Sequence, residues 1–268
     1  VLCDTPAILE DITRAIDGWS GGAGPNLAFT GMEPFNHPEI DRITREANRA
    51  GAKRLRLETS AVALGRPDVA KAALDGGVRH LRFALLGSTP EAHDMLTGTA
   101  GRFDATLRGV EAFAELAADA RVTSHISALI PLCRHNLQDV GSTIPAAARA
   151  GASAILIAVQ DEHLDVASAV PWIEAACDTG VVNTAWVEVE GVPLCAATGW
   201  ELHLASTYRT VQGAKAPACS ACPLNAVCGG TASGASDRVL AALRPPLGAR
   251  EFAAALDRGF HPLESTNG

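Results

Sequence analysis

Residues 217 to 230 read PACSACPLNAVCGG, three cysteines spaced C-x2-C-x5-C. Thiolates are soft ligands, and close spacing lets one loop present several to a single centre. Cys219, Cys222 and Cys228 thus supply three ligands of one candidate metal site, and Cys195, upstream in GVPLC, is the candidate fourth. Structural zinc usually draws on paired knuckles or on cysteine with histidine, and only His203 lies near. An iron–sulfur cluster accepts a compact group plus one distant cysteine. The spacing favours the cluster over zinc, with buried thiols as the plain alternative. Cys133 and Cys177, at a strand end and in a helix, read as buried thiols, and Cys3 stays open.

The seven cysteines sit in 268 residues, an odd number in a long chain. A disulfide scaffold is usually short and cysteine-dense, so a reducing compartment, the cytoplasm, is expected. The chain is 47% apolar and 19% charged, which fits a globular protein with a sizeable core. Formal net charge is -8, and Lys and Arg are scattered rather than striped, so no nucleic-acid partner is expected. No apolar run approaches the roughly 18 residues of a membrane span, and no basic start followed by an apolar core marks a secretory signal.

The elements that must position these residues alternate. Strand-length apolar runs are NLAFT, RLRLET, VRHLRFALL, RVTSHISALI, AILIAV and NTAWVEV. Between them fall helical patterns: HPEIDRITREANRAG, PDVAKAALDGG, RFDATLRGVEAFAELAAD, NLQDVGSTIPAAARAG, which Pro145 is expected to interrupt, and HLDVASAVPWIEAAC. A further helix is expected from Thr5, with Pro6 at its first position. Repeated β-α alternation with apolar strands predicts a parallel sheet with helices packed outside, and such sheets carry their chemistry at the carboxyl ends of the strands. From Gly191 to about Ser236 the text is loop-like, and two short terminal helices follow.

Several polar residues lie after strand ends. His93 and Asp94 form a pair that either meets a substrate or caps a helix. Arg134, His135 and the run from Gln160 to His163 are weaker substrate candidates, because most charged loop residues are merely solvated. His125, inside an apolar strand, reads as a hydrogen-bonded core histidine. There is no P-loop and no H-E-x-x-H.

Four stretches resemble the radical S-adenosylmethionine (SAM) superfamily, in members with a C-terminal SPASM or twitch-type module. LAFTGMEPFNHPEI is similar to the family's strand, GGEP motif and helix. RLRLETSAVALG resembles the strand that ends in a T-N-G-like turn. HLRFALLGSTPEAHDMLTGTAGRFDATLRGVEAF resembles the next strand and its His-Asp segment. GVPLC with CSACPLNAVCGG resembles the auxiliary-cluster module. Order and spacing agree over roughly residues 5 to 235. The resemblance implies an α/β fold, a partial (β/α)6 TIM-type barrel with its first strand missing, over 1–190. A four-cysteine module at 191–235 and a helical tail at 236–268 would follow. It implies S-adenosyl-L-methionine held at Thr30, Gly31, Met32, Glu33 and Pro34, with the Glu near the SAM amino group. Met32 stands where the family has Gly. Thr59 and Ser60 are candidates for the ligand carboxylate or ribose. Cys195, Cys219, Cys222 and Cys228 would hold an auxiliary [4Fe–4S] cluster.

The family's signature C-x3-C-x2-C, whose cluster cleaves SAM reductively to give a 5′-deoxyadenosyl radical, does not occur in these 268 residues. The favoured expectation is that the first strand and its cysteine loop lie just upstream. A second [4Fe–4S] cluster is implied only in that case. The resemblance then implies hydrogen abstraction from a peptide or small-molecule substrate, with a reductant protein such as flavodoxin or ferredoxin. The alternative is a degenerate, non-catalytic homologue that acts as a binding or partner protein with one iron–sulfur cluster or zinc. An unrelated (β/α) enzyme with a zinc knuckle is the third reading.

Overall fold

In the computed structural model, the structure describes residues 26–161, 163–197, 199–204 and 213–231, together with Arg14 and Gly18. The helices expected from Thr5 and in 236–268 lie outside the described residues, save that the Gly18 N–H donates to the Arg14 carbonyl at 2.9 Å. All six expected strands form: β1 (Asn26–Phe29), β2 (Arg54–Thr59), β3 (His80–Ala84), β4 (His125–Leu132), β5 (Ala154–Val159) and β6 (Trp186–Glu190). They make one six-stranded sheet in the order β1-β2-β3-β4-β5-β6, and it is not closed. Every pairing described is parallel. The architecture is the α/β alternation expected of a partial TIM-type barrel.

The helices are α1 (Ile40–Arg49), α2 (Pro67–Asp75), α3 (Pro90–Thr97), α4 (Arg102–Asp119), α5 (Val140–Arg149) and α6 (Val166–Val182). Two results differ from the sequence reading. Pro145 lies inside α5 without ending it. Helix α3 forms over a stretch that is not among the expected helical patterns: Thr89 caps it by accepting the Ala92 N–H, and Pro90 opens it.

The chain forms two compact units. One holds the described residues of 1–85, 89–129 and 147–153; the other holds 86–88, 130–146 and those from 154 onward. In the first, the strands bury alternate residues: Leu55 and Leu57, Leu81 and Phe83, Ile126 and Ala128. These face Ile43, Ala47, Val110 and Phe113, the apolar stripes of α1 and α4. The other face of β2–β4 keeps polar residues that are half-exposed. In the second unit β5 is buried almost throughout, as a strand covered on both faces must be. Helix α6 packs so closely on β6 that a Cβ on Gly180 would meet Val187 Cγ2 at 2.4 Å.

Candidate functional site

In the first unit the carboxyl ends of β1 and β2 lie side by side, because Phe29 pairs with Leu57. After β1 the chain turns through Thr30, Gly31 and Met32, all exposed. Gly31 has φ +100, which only glycine adopts without cost. Met32 is not among the positive-φ residues and is 57% exposed. The special conformation thus falls at 31 and leaves room for a side chain at 32. Glu33 then caps a one-turn 3-10 helix, Pro34–Asn36, accepting the Phe35 N–H at 3.4 Å.

The same carboxylate reaches the end of β2. Thr59 Oγ1 donates to Glu33 Oε1. Ser60 N–H and Ser60 Oγ donate to Oε2 at 2.8 and 2.7 Å. A carboxylate offers about four acceptor positions, and four donors fill them here. Glu33 therefore works as an internal strut between the two post-strand turns, and the groups left facing outward are those of Thr30, Gly31 and Met32. Behind the strut, Ala61 takes a left-handed conformation, φ +62, while fully buried. Such a conformation costs roughly 1–2 kcal/mol for a residue with a Cβ. It is held from below by α4: a Cβ on Gly109 would come within 1.9 Å of the Ala61 carbonyl oxygen.

In the second unit, Cys195, Cys219, Cys222 and Cys228 line one small pocket, open to solvent, with Leu194, Leu224 and Lys215 among its walls. Cys195 comes from the turn Leu194–Ala196, just past β6. Cys219 lies on the turn Pro217–Ala221, and Cys222 follows it. Cys228 closes a turn by donating its N–H to the Leu224 carbonyl at 2.8 Å. The Gly-Gly that ends the motif has a physical reason. Gly230 N–H points at Cys228 Sγ, 3.4 Å away, and Gly230 has φ +82. Next to it Ala214 and Thr231 form an antiparallel bridge, so a Cβ on Gly230 would strike the Ala214 carbonyl oxygen at 2.5 Å. Lys215 Nζ donates to the Asn225 carbonyl (2.7 Å) and to Asn225 Oδ1 (3.1 Å), which pins the five-residue loop between Cys222 and Cys228.

Four thiols, an apolar wall and an N–H aimed at one sulfur fit a soft-metal or iron–sulfur centre. The thiols line the pocket without converging: among the described residues no group of three or more His, Cys, Asp and Glu is drawn together enough to hold a metal. His203 does not line it. Its ring stacks on Trp186 at 5.0 Å, and Nδ1 lies 2.7 Å from the Val187 carbonyl. Cys177 is a buried core thiol whose pKa burial pushes up to about 12, whereas Cys133 is half-buried.

The weaker candidates are dispersed. His93 is 1% exposed, edge-on to Phe103, and burial lowers its pKa. Asp94 accepts the N–H groups of Phe103 and Gly101 at the start of α4; these bonds, that of Phe103 foremost, hold its carboxyl below the usual range. Arg134 is bound to Asp161 through its backbone N–H (3.1 Å) and Nε (3.2 Å). His135 and Gln160 are exposed. His125 is no core histidine: it is exposed, its ring stacked on that of His80 at 4.7 Å, because it opens β4 beside the residue that opens β3.

Sequence reasoning missed a buried polar knot in the second unit. Asn136, 2% exposed, accepts the Cys133 N–H and donates to the carbonyls of Leu86 and Pro131. Asp139 accepts from the Ser88 N–H at 2.6 Å and from its hydroxyl. A short polar residue just past an apolar strand was the only available signal.

The model of the radical SAM superfamily matches residues 4–142, about half of the chain. An AdoMet-dependent heme synthase of Methanosarcina barkeri is 28% identical over 145 residues, 54% of this chain and 39% of that protein. A PqqA peptide cyclase of Ruegeria pomeroyi is 31% identical over 152 residues, 56% of this chain and 38% of that protein. The chain thus spans about two fifths of the length of these curated relatives. Among solved structures, Streptococcus suis SuiB bound to S-adenosylmethionine superposes with TM-score 0.55 at 13% identity, over 70% of this chain and 42% of that one. SuiB bound to its precursor peptide SuiA gives 0.54 at 12%, over 68% and 42%. At these identities the structures speak for the fold alone.

Proposed function

The chain belongs to the radical SAM superfamily, and from that premise we propose that it is the SAM-binding and auxiliary-cluster part of an enzyme acting on a peptide or small molecule. The observation that carries this reading is that Cys195, Cys219, Cys222 and Cys228, brought in by separate turns, line one pocket. These four would hold a [4Fe–4S] cluster, with Gly230 N–H supporting the Cys228 sulfur and Lys215 fixing the loop. Thr30, Gly31 and Met32 would meet SAM through their backbone, while Glu33, Thr59 and Ser60 keep that backbone in place and Pro34 starts the supporting turn. When bound, SAM supplies hydrogen-abstracting chemistry on one-electron reduction, and an iron–sulfur centre supplies single electrons. His93 and Asp94 would shape the α3–α4 turn, and Arg134, His135 and Gln160 would contribute to substrate contact. A peptide substrate is favoured because one of the relatives, the PqqA peptide cyclase, is named for a peptide. A flavodoxin or ferredoxin would serve as reductant, in the reducing cytoplasm. Among the described residues no helix is long and apolar enough to cross a membrane.

Iron and acid-labile sulfide per chain after anaerobic reconstitution test the reading. About four irons with equal sulfide, lost in Cys222→Ala, are expected. About one zinc and no sulfide would support the second reading, a non-catalytic binding protein with a structural metal.

A further inference from the structure

The face of β2–β4 not covered by helices carries an unusual charge balance. Parallel register sets Arg56 beside His80 and His80 beside His125 in one row. The next row toward the carboxyl ends holds Glu58, Arg82 and Ser127. Side chains two apart on a strand share a face, so Arg54 joins them from the start of β2. Glu58 is the one carboxylate of these rows, and it serves two guanidiniums: Arg56 at 2.9 Å and Arg82 at 3.1 Å. Arg56 Nε is buried with no hydrogen-bond partner, although 36% of the side chain is exposed. The neighbour of Arg56 on β1 is Ala28, which leaves space above it. The rows thus hold three arginines against one acid, in a chain whose net charge is -8. The imidazole of His80 registers this local excess. Its pKa is lowered by desolvation first and then by His125, Arg54 and Arg56.

A guanidinium that shares its only carboxylate keeps donors in fork geometry for a second one. Arg54 and Arg56, two apart on one strand, lie about 6.6–6.8 Å apart, the spacing of same-side carboxylates on an extended chain. We infer that this open face of β2–β4 docks an acidic peptide segment, whose carboxylates pair with Arg56 and Arg54 where Glu58 leaves their charge uncompensated. The inference rests on the proposed enzyme only in naming that peptide a substrate. Docking needs neither SAM nor metal, so failure of iron loading leaves it standing, and failure of docking leaves the cluster standing.

Fluorescence anisotropy of a labelled tetraglutamate peptide, against tetraglutamine, at low ionic strength and without metal, reads it out. The wild-type chain binds the acidic peptide and not the neutral one. Arg56→Gln weakens binding about tenfold or more, the loss expected for a charged hydrogen-bonded pair. Arg54→Gln, at an exposed site, weakens it about threefold and carries the test if Arg56→Gln fails to fold. Glu58→Gln removes the competing carboxylate and tightens binding. Arg42→Gln, on α1, leaves it unchanged. Equal binding of the two peptides overturns the inference. So does weakening by Glu58→Gln, or a loss in Arg42→Gln as large as that in Arg54→Gln.

Discussion

The Glu33 strut and the cysteine pocket are built in opposite ways. The strut is complete by itself: all four acceptor positions of one carboxylate are filled by protein donors. The pocket is a set of walls: four thiols line it, yet none of the described groups converges to hold a metal. Each part therefore draws its order from a different source. A turn closed by its own hydrogen bonds is organised before any ligand arrives. With the proposed cluster bound, thiols gathered around open space would obtain their last contacts from the metal, and binding would then add to stability.

The largest expected effect comes from attacking the strut from behind. Gly109→Ala drives a Cβ into the Ala61 carbonyl and destabilises the chain by about 3 kcal/mol, the upper range for overpacking. Glu33→Ala should cost about 2 kcal/mol, because it strands the Ser60 N–H and three other donors. Both are checked by urea unfolding of the metal-free chain, and a change under about 0.5 kcal/mol in either would erase the contrast.

The pocket should behave conversely. In the metal-free chain Cys222→Ala stays within about 0.5 kcal/mol of wild type, as a substitution at an unfinished site should. After anaerobic reconstitution the wild type melts higher, and Cys222→Ala gains nothing. A Cys222→Ala chain that is already unstable without metal would show the pocket to be as preorganised as the strut.

The smallest effect is electrostatic. The folded-state pKa of His80 lies below its ordinary 6.5, so the unfolded chain binds more protons in acid. Its contribution is present above pH 6.5 and is lost as pH falls from there toward the folded value. Wild type should therefore lose more stability than His80→Gln between pH 7 and pH 5, followed by chemical denaturation at each pH.

The contrast also explains what could be read from the sequence. The strands were legible because parallel strands bury apolar runs such as AILIAV, and the four cysteines were legible because their spacing is short. The strut was only half legible. Glu33, Thr59 and Ser60 stood out as polar residues after strands, but their mutual bonds depend on pairing 26 and 27 residues apart. Helix α3 was missed because His93 is its only buried residue, which leaves no apolar stripe to recognise. The row Arg56, His80 and His125 exists only through register, so each residue alone looked ordinary. Ala61 gave no sign at all, since nothing in an alanine announces a left-handed backbone.

The exposure of position 32 has a practical consequence. The chain has two methionines, Met32 and Met95, 57% and 66% exposed. Carbon-13 labelling of their methyl groups would give a two-peak spectrum, expected to be sharp because both side chains are largely exposed to water. One peak reports from the turn beside the strut and the other from α3, so a titrated small molecule would announce through the Met32 resonance whether it arrives at that turn.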